Sequence, residues 1–155
     1  MSDLENGTEQ DLVTANIARQ KAADDGFNTH DMQAFEALHT DDVKVYLTGR
    51  TEPTTDIHTH RADTEALITA FPDIRVDNDP YRTTFGGGDW TCAMSLMRGT
   101  HTGPLQGPGG RVIPPTGKSF VVNFATMCRW DDNGKIAEEY VMWDAPALME
   151  QLGLA

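Results

Sequence analysis

The feature of this sequence that most constrains its fold is a pair of long extended segments near the carboxyl end. Residues 119–130 form a run that is apolar on both faces, and residues 136–144 return as its partner. Between them, Asp132-Asn133-Gly134 predicts a hairpin turn, since Asn-Gly suits paired positive-φ positions. Strands that are apolar on both faces must be covered on both sides. We therefore expect helices on one face of the sheet and a second copy of the chain on the other.

The amino-terminal part of the chain has the pattern of helices. Residues 11–25 predict a first helix, and Gly26 is placed to end it. Asp31 is a suitable N-cap for a second helix. Residues 63–71 predict a third helix, which Pro72 stops because a residue before proline is pushed out of the helical region. Three helices thus precede most of the predicted strands.

The rest of the chain predicts strands and turns. Extended segments are expected at 43–47, 74–76, 81–85, 90–98, 119–130 and 136–144, with a closing helical turn at 146–152. Helices first and a long antiparallel meander last predict an α+β fold with the helices packed on one sheet face. A length of 155 residues fits one domain. We expect that domain at 11–155, after a flexible acidic segment at 1–10.

Composition and charge exclude several classes of partner. Hydrophobic residues make up 39% of the chain, enough for a core without metal or disulfide staples, and Cys92 and Cys128 are expected to be reduced core residues. The 24 acidic and 12 basic residues give a net charge of −12, which repels nucleic acid and anionic membranes. The start lacks the pattern of a secretory signal, and no apolar run is long enough to cross a bilayer. The expected location is the cytoplasm.

Two glycine-containing segments resemble nucleotide-binding motifs but lack residues that those motifs require. Gly117-Lys118-Ser119 lacks the glycine that a phosphate loop needs five residues earlier, where this chain has Val112. Prolines at 114 and 115 also remove backbone donors that would hold phosphate. Residues 86–88 are three glycines without a dinucleotide fingerprint, and no Gly-x-Ser-x-Gly elbow is present. Residues 103–117 therefore predict a long hairpin connection.

The densest polar cluster of the sequence is the segment 56–63, Asp-Ile-His-Thr-His-Arg-Ala-Asp. His58 and His60, flanked by carboxylates, could ligate a divalent metal, although a third ligand is not evident. A bare surface loop and a metal-free acid/base role are the two alternatives. His60 precedes the predicted third helix, whose positive end disfavours imidazolium and favours a neutral base. His30 and His39 are interpreted as ordinary surface residues.

The last predicted strand places carboxylates beside large apolar groups. A carboxylate that faced a pocket there would have a raised pKa and could shuttle protons near neutral pH. The alternation of side chains along this strand does not by itself decide which face points toward the interior of the protein. Glu138 and Glu139 could instead be solvated strand-end charges, and Asp144 could be an N-cap. The two faces are Glu138, Tyr140, Met142 and Asp144 on one side, and Glu139, Val141 and Trp143 on the other.

Several short motifs, in order, resemble the SnoaL-like polyketide cyclases, also called ester cyclases. The match runs from Asp11 to nearly the end of the chain. The resemblance implies the cone-shaped fold of the nuclear-transport-factor-2-like (NTF2-like, or cystatin-like) superfamily, commonly dimeric, with a pocket inside the cone. The segments that carry it are Gly-Asp-Trp (88–90), Arg-Gly-Thr-His-Thr-Gly-Pro-Leu (98–105), Ile-Pro-Pro-Thr-Gly-Lys-Ser-Phe (113–120), Gly-Lys-Ile-Ala-Glu-Glu-Tyr (134–140) and residues 144–154.

The resemblance also implies a chemistry and shows where this chain departs from it. The best-understood members close a polyketide ring by an intramolecular aldol reaction without a cofactor. An aspartate on the final strand takes the acid/base role, and a histidine on the preceding strand assists it. Here the aspartate position holds Val141 and the histidine position falls near Thr126. The family's catalytic pair is therefore absent, and Asp144 matches a second aspartate that is more often structural.

These observations leave three hypotheses. The first is a cofactor-independent cyclase or isomerase for a small apolar carbonyl compound, with His60 as base, Asp144 or Glu139 as acid or orienting group, and no assigned metal. The second is a carrier that binds such a compound without changing it, which the missing pair favours. The third is a metal-dependent enzyme built on His58 and His60. The residues expected to line the ligand pocket are Tyr46, Trp90, Phe124, Tyr140 and Trp143.

Overall fold

The computed structural model describes residues 2–155, with side chains from residue 8 onward. The chain forms four α-helices and eight strands within these residues. No helix in the described part is long and apolar enough to cross a membrane. The helices are α1 (Ser2–Thr29), α2 (Met32–Ala37), α3 (Ile57–Ala70) and α4 (Ala145–Gln151). The strands are β1 (His39–Leu47), β2 (Arg75–Val76), β3 (Thr83–Gly87), β4 (Trp90–Thr100), β5 (Leu105–Gln106), β6 (Val112–Ile113), β7 (Ser119–Trp130) and β8 (Ile136–Trp143).

Six of the strands form one mixed, mainly antiparallel sheet. Its order is β1-β8-β7-β4-β2, and β3 also pairs with β4. Only β1 and β8 run parallel among the described pairs. β5 and β6 form a separate small hairpin between β4 and β7, so the predicted connection at 103–117 has structure of its own. The predicted α+β class, with helices packed on a curved sheet, is confirmed.

The first helix is longer than predicted at both ends, and Gly26 lies within it. A Cβ on Gly26 would lie 3.1 Å from the backbone nitrogen of Phe35, so this glycine permits the close approach of α2 and does not end the helix. The chain turns after Thr29 through His30, which has a φ of 60°. The flexibility of residues 1–10 stays a prediction, and Met1 lies outside the described residues.

The third helix begins six residues earlier than predicted, at Ile57. Asp56 is its N-cap and accepts hydrogen bonds from the backbone N–H and the hydroxyl of Thr59, both at 2.8 Å. Ile57 is buried and anchors the first turn. The polar segment 56–63 is therefore the start of a helix, and its interpretation as a bare loop is wrong. The helix ends before Pro72, as predicted.

The strand alternation divides the sheet into an inner face, toward the helices, and an outer face. The predicted bounds of β7 are confirmed, and the turn at Gly134 connects it to β8. β4 and β7 keep one register along their whole length, and β7 and β8 keep one from Phe124 to Arg129, so side chains of the same face line up across these strands. The inner face carries Ala93, Ser95, Met97, Phe120, Val122, Thr126, Cys128 and Glu139, which are all buried. The outer face carries Tyr46, Trp90, Met94, Val121, Met127, Tyr140 and Met142, which are half-buried or exposed.

The interior contains two separate apolar clusters. The first lies between α2, the end of α3, α4 and the sheet, and Phe71, Phe120 and Leu152 are at its centre. The second lies nearer the β1–β8 edge and includes Val43 and Trp130. Each excludes water from large side chains that are almost fully buried. Buried polar residues are also present in this interior, and they include the candidate site.

Candidate active site

Three buried ionisable side chains from three elements meet inside the fold. His39, His60 and Glu139 are exposed by only 2%, 5% and 5%. Their ligating atoms all lie within 4.8 Å of one another. Ionisable groups of this kind are seldom fully buried unless they are paired or functional. We call these three residues the His–Glu–His cluster.

Each member of the cluster is positioned by local structure. His60 is the fourth residue of α3, where the Asp56 cap fixes the first turn and the ring faces inward. His39 is the first residue of β1, directly after the short helix α2. Glu139 lies on the inner face of β8 and is paired across the sheet with Cys128. The cluster therefore requires the parallel pairing of β1 with β8 and the packing of α3 against β1.

The distances within the cluster are those of close polar contact. Glu139 Oε1 lies 2.9 Å from His60 Nε2 and 3.8 Å from His39 Nε2. The other nitrogen of His39, Nδ1, donates to the carbonyl oxygen of Phe35 at 2.8 Å, which fixes that ring. The Phe35 ring packs on both imidazoles, with ring centroids 4.6 and 5.2 Å away. One carboxylate thus faces two imidazoles in an apolar surrounding.

The charges of the cluster stabilise one another. Burial by itself raises the pKa of the Glu139 carboxyl, but the two imidazoles lower it more, so its pKa is well below the usual range. Burial lowers the pKa of His39, but Glu139 raises it more, and the net shift is upward. Glu139 is therefore a carboxylate, and it favours the protonated form of His39.

The second oxygen of Glu139 is also occupied. The Cys128 thiol donates to Oε2 at 3.7 Å. Burial and the nearby Glu139 charge raise the pKa of this thiol well above its usual value, so it remains protonated. The prediction that Cys128 is a reduced, buried residue is confirmed. Its contact helps to orient the carboxylate so that Oε1 faces the imidazoles.

A second acidic group lies near the cluster on α1. Tyr81 Oη donates to Asp24 Oδ2 at 2.5 Å. Burial raises the pKa of Asp24 to about 7, although the hydrogen bond from Tyr81 lowers it, and the charge of Glu139 raises it further. Burial and the Asp24 charge also raise the pKa of Tyr81, which stays a donor. Both residues are half-buried, so this pair is more accessible than the cluster.

A chain of hydrogen bonds fixes α1 against the inner face. Trp130 Nε1 donates to Thr91 Oγ1 at 2.8 Å, and Thr91 Oγ1 donates to Gln20 Oε1 at 2.7 Å. The amide nitrogen of Gln20 donates to the carbonyl oxygen of Thr126 at 3.0 Å. These buried groups satisfy one another, which gives the helix a fixed register on the sheet.

The sequence prediction missed His39, Asp24 and Tyr81. His39 was predicted to be a surface residue, and this is wrong because β1 begins there and turns its ring inward. The alternation of buried Val43 and Val45 does not continue to His39, because Asp41 is exposed and the register shifts between His39 and Lys44, so the strand pattern did not indicate that face. Asp24 follows Asn16 by eight residues and Gln20 by four, so the three form a polar stripe on a buried helix face. That polar stripe is the sequence pattern that could have identified Asp24 as a buried polar residue.

The structure separates other predicted site residues from the cluster. The side chain of His58 is 85% exposed and lies 3.9 Å from Glu36, so His58 and His60 do not share a site. Asp144 is exposed and accepts a hydrogen bond from the backbone N–H of Ala147 at 3.0 Å. It caps α4, which is the structural alternative given for it above. His60 and Glu139, in contrast, are brought into contact.

The five predicted pocket residues lie on both faces of the sheet. Phe124 and Trp143 are cross-strand partners on the inner face, where they pack against the first apolar cluster. Trp90 and Tyr140 lie on the outer face, and Tyr46 stacks on Tyr140 with ring centroids 4.6 Å apart. The expectation of one pocket lined by all five is therefore wrong, because alternate residues of a strand point to opposite sides.

An apolar cavity of about 330 Å³ lies on the outer face, and Trp90 and Tyr140 contribute to its walls. The other lining residues are Phe85, Gly86, Gly87, Thr91, Cys92 and Met127. The His–Glu–His cluster is on the opposite side of the sheet and does not line it. A ligand pocket inside the cone stays a prediction.

The positions at which the family's catalytic pair is expected are neighbours in this fold. Val141 and Thr126 are cross-strand partners on the inner face. Glu139 lies two residues before Val141 on that same face, which is about 7 Å along the strand. The resemblance implies an aspartate at position 141, whereas the buried carboxylate of β8 is Glu139, one inward-facing position earlier in the strand.

Comparisons with solved structures find the same architecture in other proteins. IdmH from Streptomyces antibioticus, a proposed polyketide cyclase, is 23% identical, with a TM-score of 0.73 over 89% of this chain and 98% of IdmH. A proposed SnoaL-like polyketide cyclase from Jannaschia sp. CCS1 is 19% identical, with a TM-score of 0.79 over 93% of this chain and 95% of that chain. AclR from Streptomyces galilaeus, a proposed hydroxylase, is 17% identical, with a TM-score of 0.74 over 92% of this chain and 83% of AclR. At these identities the likeness establishes a shared fold.

The family follows from the sequence match. The family model of the SnoaL-like polyketide cyclases matches residues 17–152. The chain therefore belongs to the SnoaL-like polyketide cyclase family, as its motifs predicted. No curated protein sequence matches it.

Proposed function

We propose that this protein catalyses a cyclase-type reaction on a small, largely apolar carbonyl compound, by acid/base chemistry of its own side chains without a cofactor. The observation that supports this most strongly is the 2.9 Å contact of His60 with Glu139 inside the fold. A buried carboxylate stabilises the imidazolium that forms when a histidine takes a proton. Membership of the family supports the substrate class.

In the proposed reaction His60 removes a proton from the carbon next to a carbonyl group. Its Nδ1 is buried and has no hydrogen-bond partner among the described residues, so this nitrogen is available to a substrate. Glu139 stabilises the imidazolium. His39, whose protonated form Glu139 favours, donates a proton to the oxygen that gains charge. The enol carbon then attacks a second carbonyl of the same molecule and closes the ring. The oxygen of that second carbonyl takes the proton held by His60, and the enol O–H proton returns to His39 as the first carbonyl forms again.

The Asp24–Tyr81 pair has a supporting role in this proposal. A carboxyl with a pKa of about 7 accepts or gives a proton readily near neutral pH. Asp24 is close enough for its charge to raise the pKa of His39 and for the charge of Glu139 to raise its own pKa, and its half-buried position makes it a suitable route for proton exchange with solvent. The proposal therefore uses the Asp24 carboxyl to exchange protons with solvent, while Tyr81 stays protonated and orients this carboxyl.

The test is the exchange of carbon-bound protons for deuterium, since it needs no knowledge of the ring product. A panel of aryl ketones and acetoacetyl esters is incubated in D₂O and followed by NMR. We expect the protein to accelerate exchange next to a carbonyl, and His60→Ala to lower that rate by about 100-fold or more. His58→Ala, two residues away and exposed, is the matched control and should retain the rate. Equal rates for His60→Ala and the wild type would contradict the proposal.

A carrier function is the second candidate, and one observation favours it. The family's acid/base pair is replaced by Val141 and Thr126, which leaves an apolar and a neutral polar group facing each other. A carrier would co-purify with a small apolar compound. Mass spectrometry of that compound before and after long incubation separates the two functions, because a carrier returns it unchanged.

The homodimer expected from the sequence remains part of the proposal. The outer face exposes large apolar side chains, with Met94 43% and Val121 44% exposed. A face of this kind is typical of a surface that a second copy covers. Sedimentation should give a dimer for the wild type and a monomer for Met94→Glu. Val112→Glu, exposed but outside this face, is the control and should remain dimeric.

A further inference from the structure

The His–Glu–His cluster has a geometric property that proton transfer alone does not require. Three of its ring nitrogens, His39 Nε2 and both nitrogens of His60, are buried without a hydrogen-bond partner among the described residues. His60 Nε2 is nevertheless only 2.9 Å from Glu139 Oε1. The contact is short, but the ring N–H does not point at the oxygen, so the two atoms do not form a hydrogen bond. In a hydrogen bond the nitrogen points at the oxygen, whereas two ligands of one ion both point at a third position.

The separations of the three ligand atoms fit such a third position. Nitrogen and oxygen ligands lie about 2.0 to 2.2 Å from a tetrahedral zinc ion, so that any two of them are about 3.3 to 3.6 Å apart. Glu139 Oε1 lies 2.9 Å from His60 Nε2 and 3.8 Å from His39 Nε2. Each of the three residues has a ligand atom within 4.8 Å of a ligand atom from each of the others, so an ion would need a modest movement of the side chains.

The surroundings of the cluster orient its ligands. His39 Nδ1 donates to the Phe35 carbonyl, so when an ion displaces the proton from this ring, the lone pair is on Nε2, which lies 3.8 Å from Glu139 Oε1. Metal-bound histidines commonly donate their other nitrogen to a carbonyl in this way. Cys128 holds the second oxygen of Glu139. His101 provides a contrast: its Nε2 is also buried without a described partner, but it lies beside the Phe71 ring and outside the group of clustered ligands.

We propose that His39, His60 and Glu139 form a binding site for one divalent transition-metal ion. Two imidazoles and one carboxylate are a ligand set for first-row metals such as zinc, cobalt or iron, and three protein ligands leave coordination positions open. This inference goes beyond the proposed function, although it concerns the same side chains. An ion bound to the cluster occupies His39 Nε2, the proposed proton donor, and makes the bound His60 ring a weaker base at Nδ1, so it inhibits the acid/base reaction.

The first test measures binding with cobalt(II), whose visible absorption reports its ligands. The untagged protein, freed of metal with EDTA and dialysed, is titrated at pH 7. We expect one ion per chain with the absorption of a site that contains nitrogen ligands, competed by zinc(II). His39→Gln, His60→Gln and Glu139→Gln should each weaken binding more than about tenfold. His58→Gln is the matched control and should bind like the wild type.

Each outcome decides the proposal. Absence of a stoichiometric site in the folded wild-type protein overturns it, whether or not the variants fold. Retention of the site in folded His39→Gln or His60→Gln overturns it as well. Circular dichroism of each variant separates loss of a ligand from loss of the fold, and the wild-type titration alone is sufficient if a variant does not fold.

The deuterium-exchange assay separates this inference from the proposed function. Exchange by the metal-free protein that zinc(II) inhibits would support both. Exchange that occurs without stoichiometric metal binding would retain the function and overturn the metal site. Metal binding without exchange under any condition would retain the site and overturn the function. If exchange occurred only in the presence of metal, the metal site would be retained. The cofactor-free reaction and the proposed inhibition by metal would both be wrong.

Discussion

Glu138 and Glu139 are neighbours in β8 and have opposite surroundings. Glu138 is on the outer face, where Arg129 Nε donates to it at 3.1 Å and both side chains remain partly exposed. Glu139 is on the inner face, 5% exposed, beside two imidazoles and a thiol. The outer pair is screened by water, whereas the inner charges interact in an apolar medium. The comparison shows that the face of the strand, and not the residue type, decides what a carboxylate can do.

The same division applies to the apolar residues of the sheet. Phe120 on the inner face of β7 is 1% exposed and packs edge-on against Phe71, with centroids 5.0 Å apart. Val121, the next residue, is 44% exposed on the outer face. The inner face contributes to the core, while the outer face is available to a partner. The predictions below test this division, starting with the largest effect.

The largest effect is expected for the core of the inner face. Phe120→Ala should lower the free energy of unfolding by about 3 to 5 kcal/mol, since it removes a buried ring and leaves a cavity. Val121→Ala in the dilute, monomeric protein should change it by less than about 0.5 kcal/mol. Urea unfolding followed by circular dichroism measures both. Similar losses for the two variants would mean that the faces do not differ as described.

The next effect compares the two glutamates. Glu139→Gln should lower the free energy of unfolding by about 3 kcal/mol, because it leaves buried imidazoles without their counter-charge. Glu138→Gln removes a partly exposed ion pair and should cost less than about 1 kcal/mol. Urea unfolding at pH 7 is the measurement. A larger cost for Glu138→Gln would contradict the assignment of the faces.

The third prediction concerns the pH dependence of stability that Asp24 causes. Its pKa is about 7 in the native protein and about 4 in the unfolded chain, so the native state binds more protons between these values. Stability from this group is fully present below about pH 4 and is lost as the pH rises through 7. Its slope is at most about 1.4 kcal/mol per pH unit.

The variant Asp24→Asn should remove this part of the pH dependence. The measurement is the free energy of unfolding by urea at pH 4.5, 5.5, 6.5 and 7.5, for the variant and the wild type. Asp11→Asn, an exposed carboxyl of the same helix, serves as the control and should keep the wild-type slope. An unchanged slope in Asp24→Asn would show that this carboxyl titrates at its ordinary pKa.

The smallest effect is expected for aromatic contacts on the outer face. Tyr46 and Tyr140 stack with an interplanar angle of 8°. A double-mutant cycle with alanine should give a coupling free energy of about 0.5 to 1.5 kcal/mol. Thermal or urea unfolding of the two single variants and the double variant measures it. A coupling of zero would mean that the rings do not interact in solution.

Several elements were predictable because local chemistry alone determines them. The bounds of β7, the turn at Gly134 and the N-cap role of Asp31 follow from alternation, turn residues and capping. The start of α3 was predicted six residues too late. Asp56 is an N-cap like Asp31, but the histidines after it were interpreted as part of a polar segment and not as the first turn of a helix. Gly26 was wrongly predicted to end α1. It permits the close contact of α1 with α2, and the periodicity of the α1 sequence does not indicate such a contact.

The sequence by itself determined the order of the main elements and the family, and its candidate residues included two members of the buried cluster, His60 and Glu139. Only the tertiary structure decided that His39 completes the cluster and that Asp24 and Tyr81 lie beside it. The physical reason is that these groups come from α1, β1, α3, β8 and the segment before β3, far apart in the chain. Their surroundings depend on the parallel β1–β8 pairing and on which strand face meets the helices, neither of which a local pattern specifies.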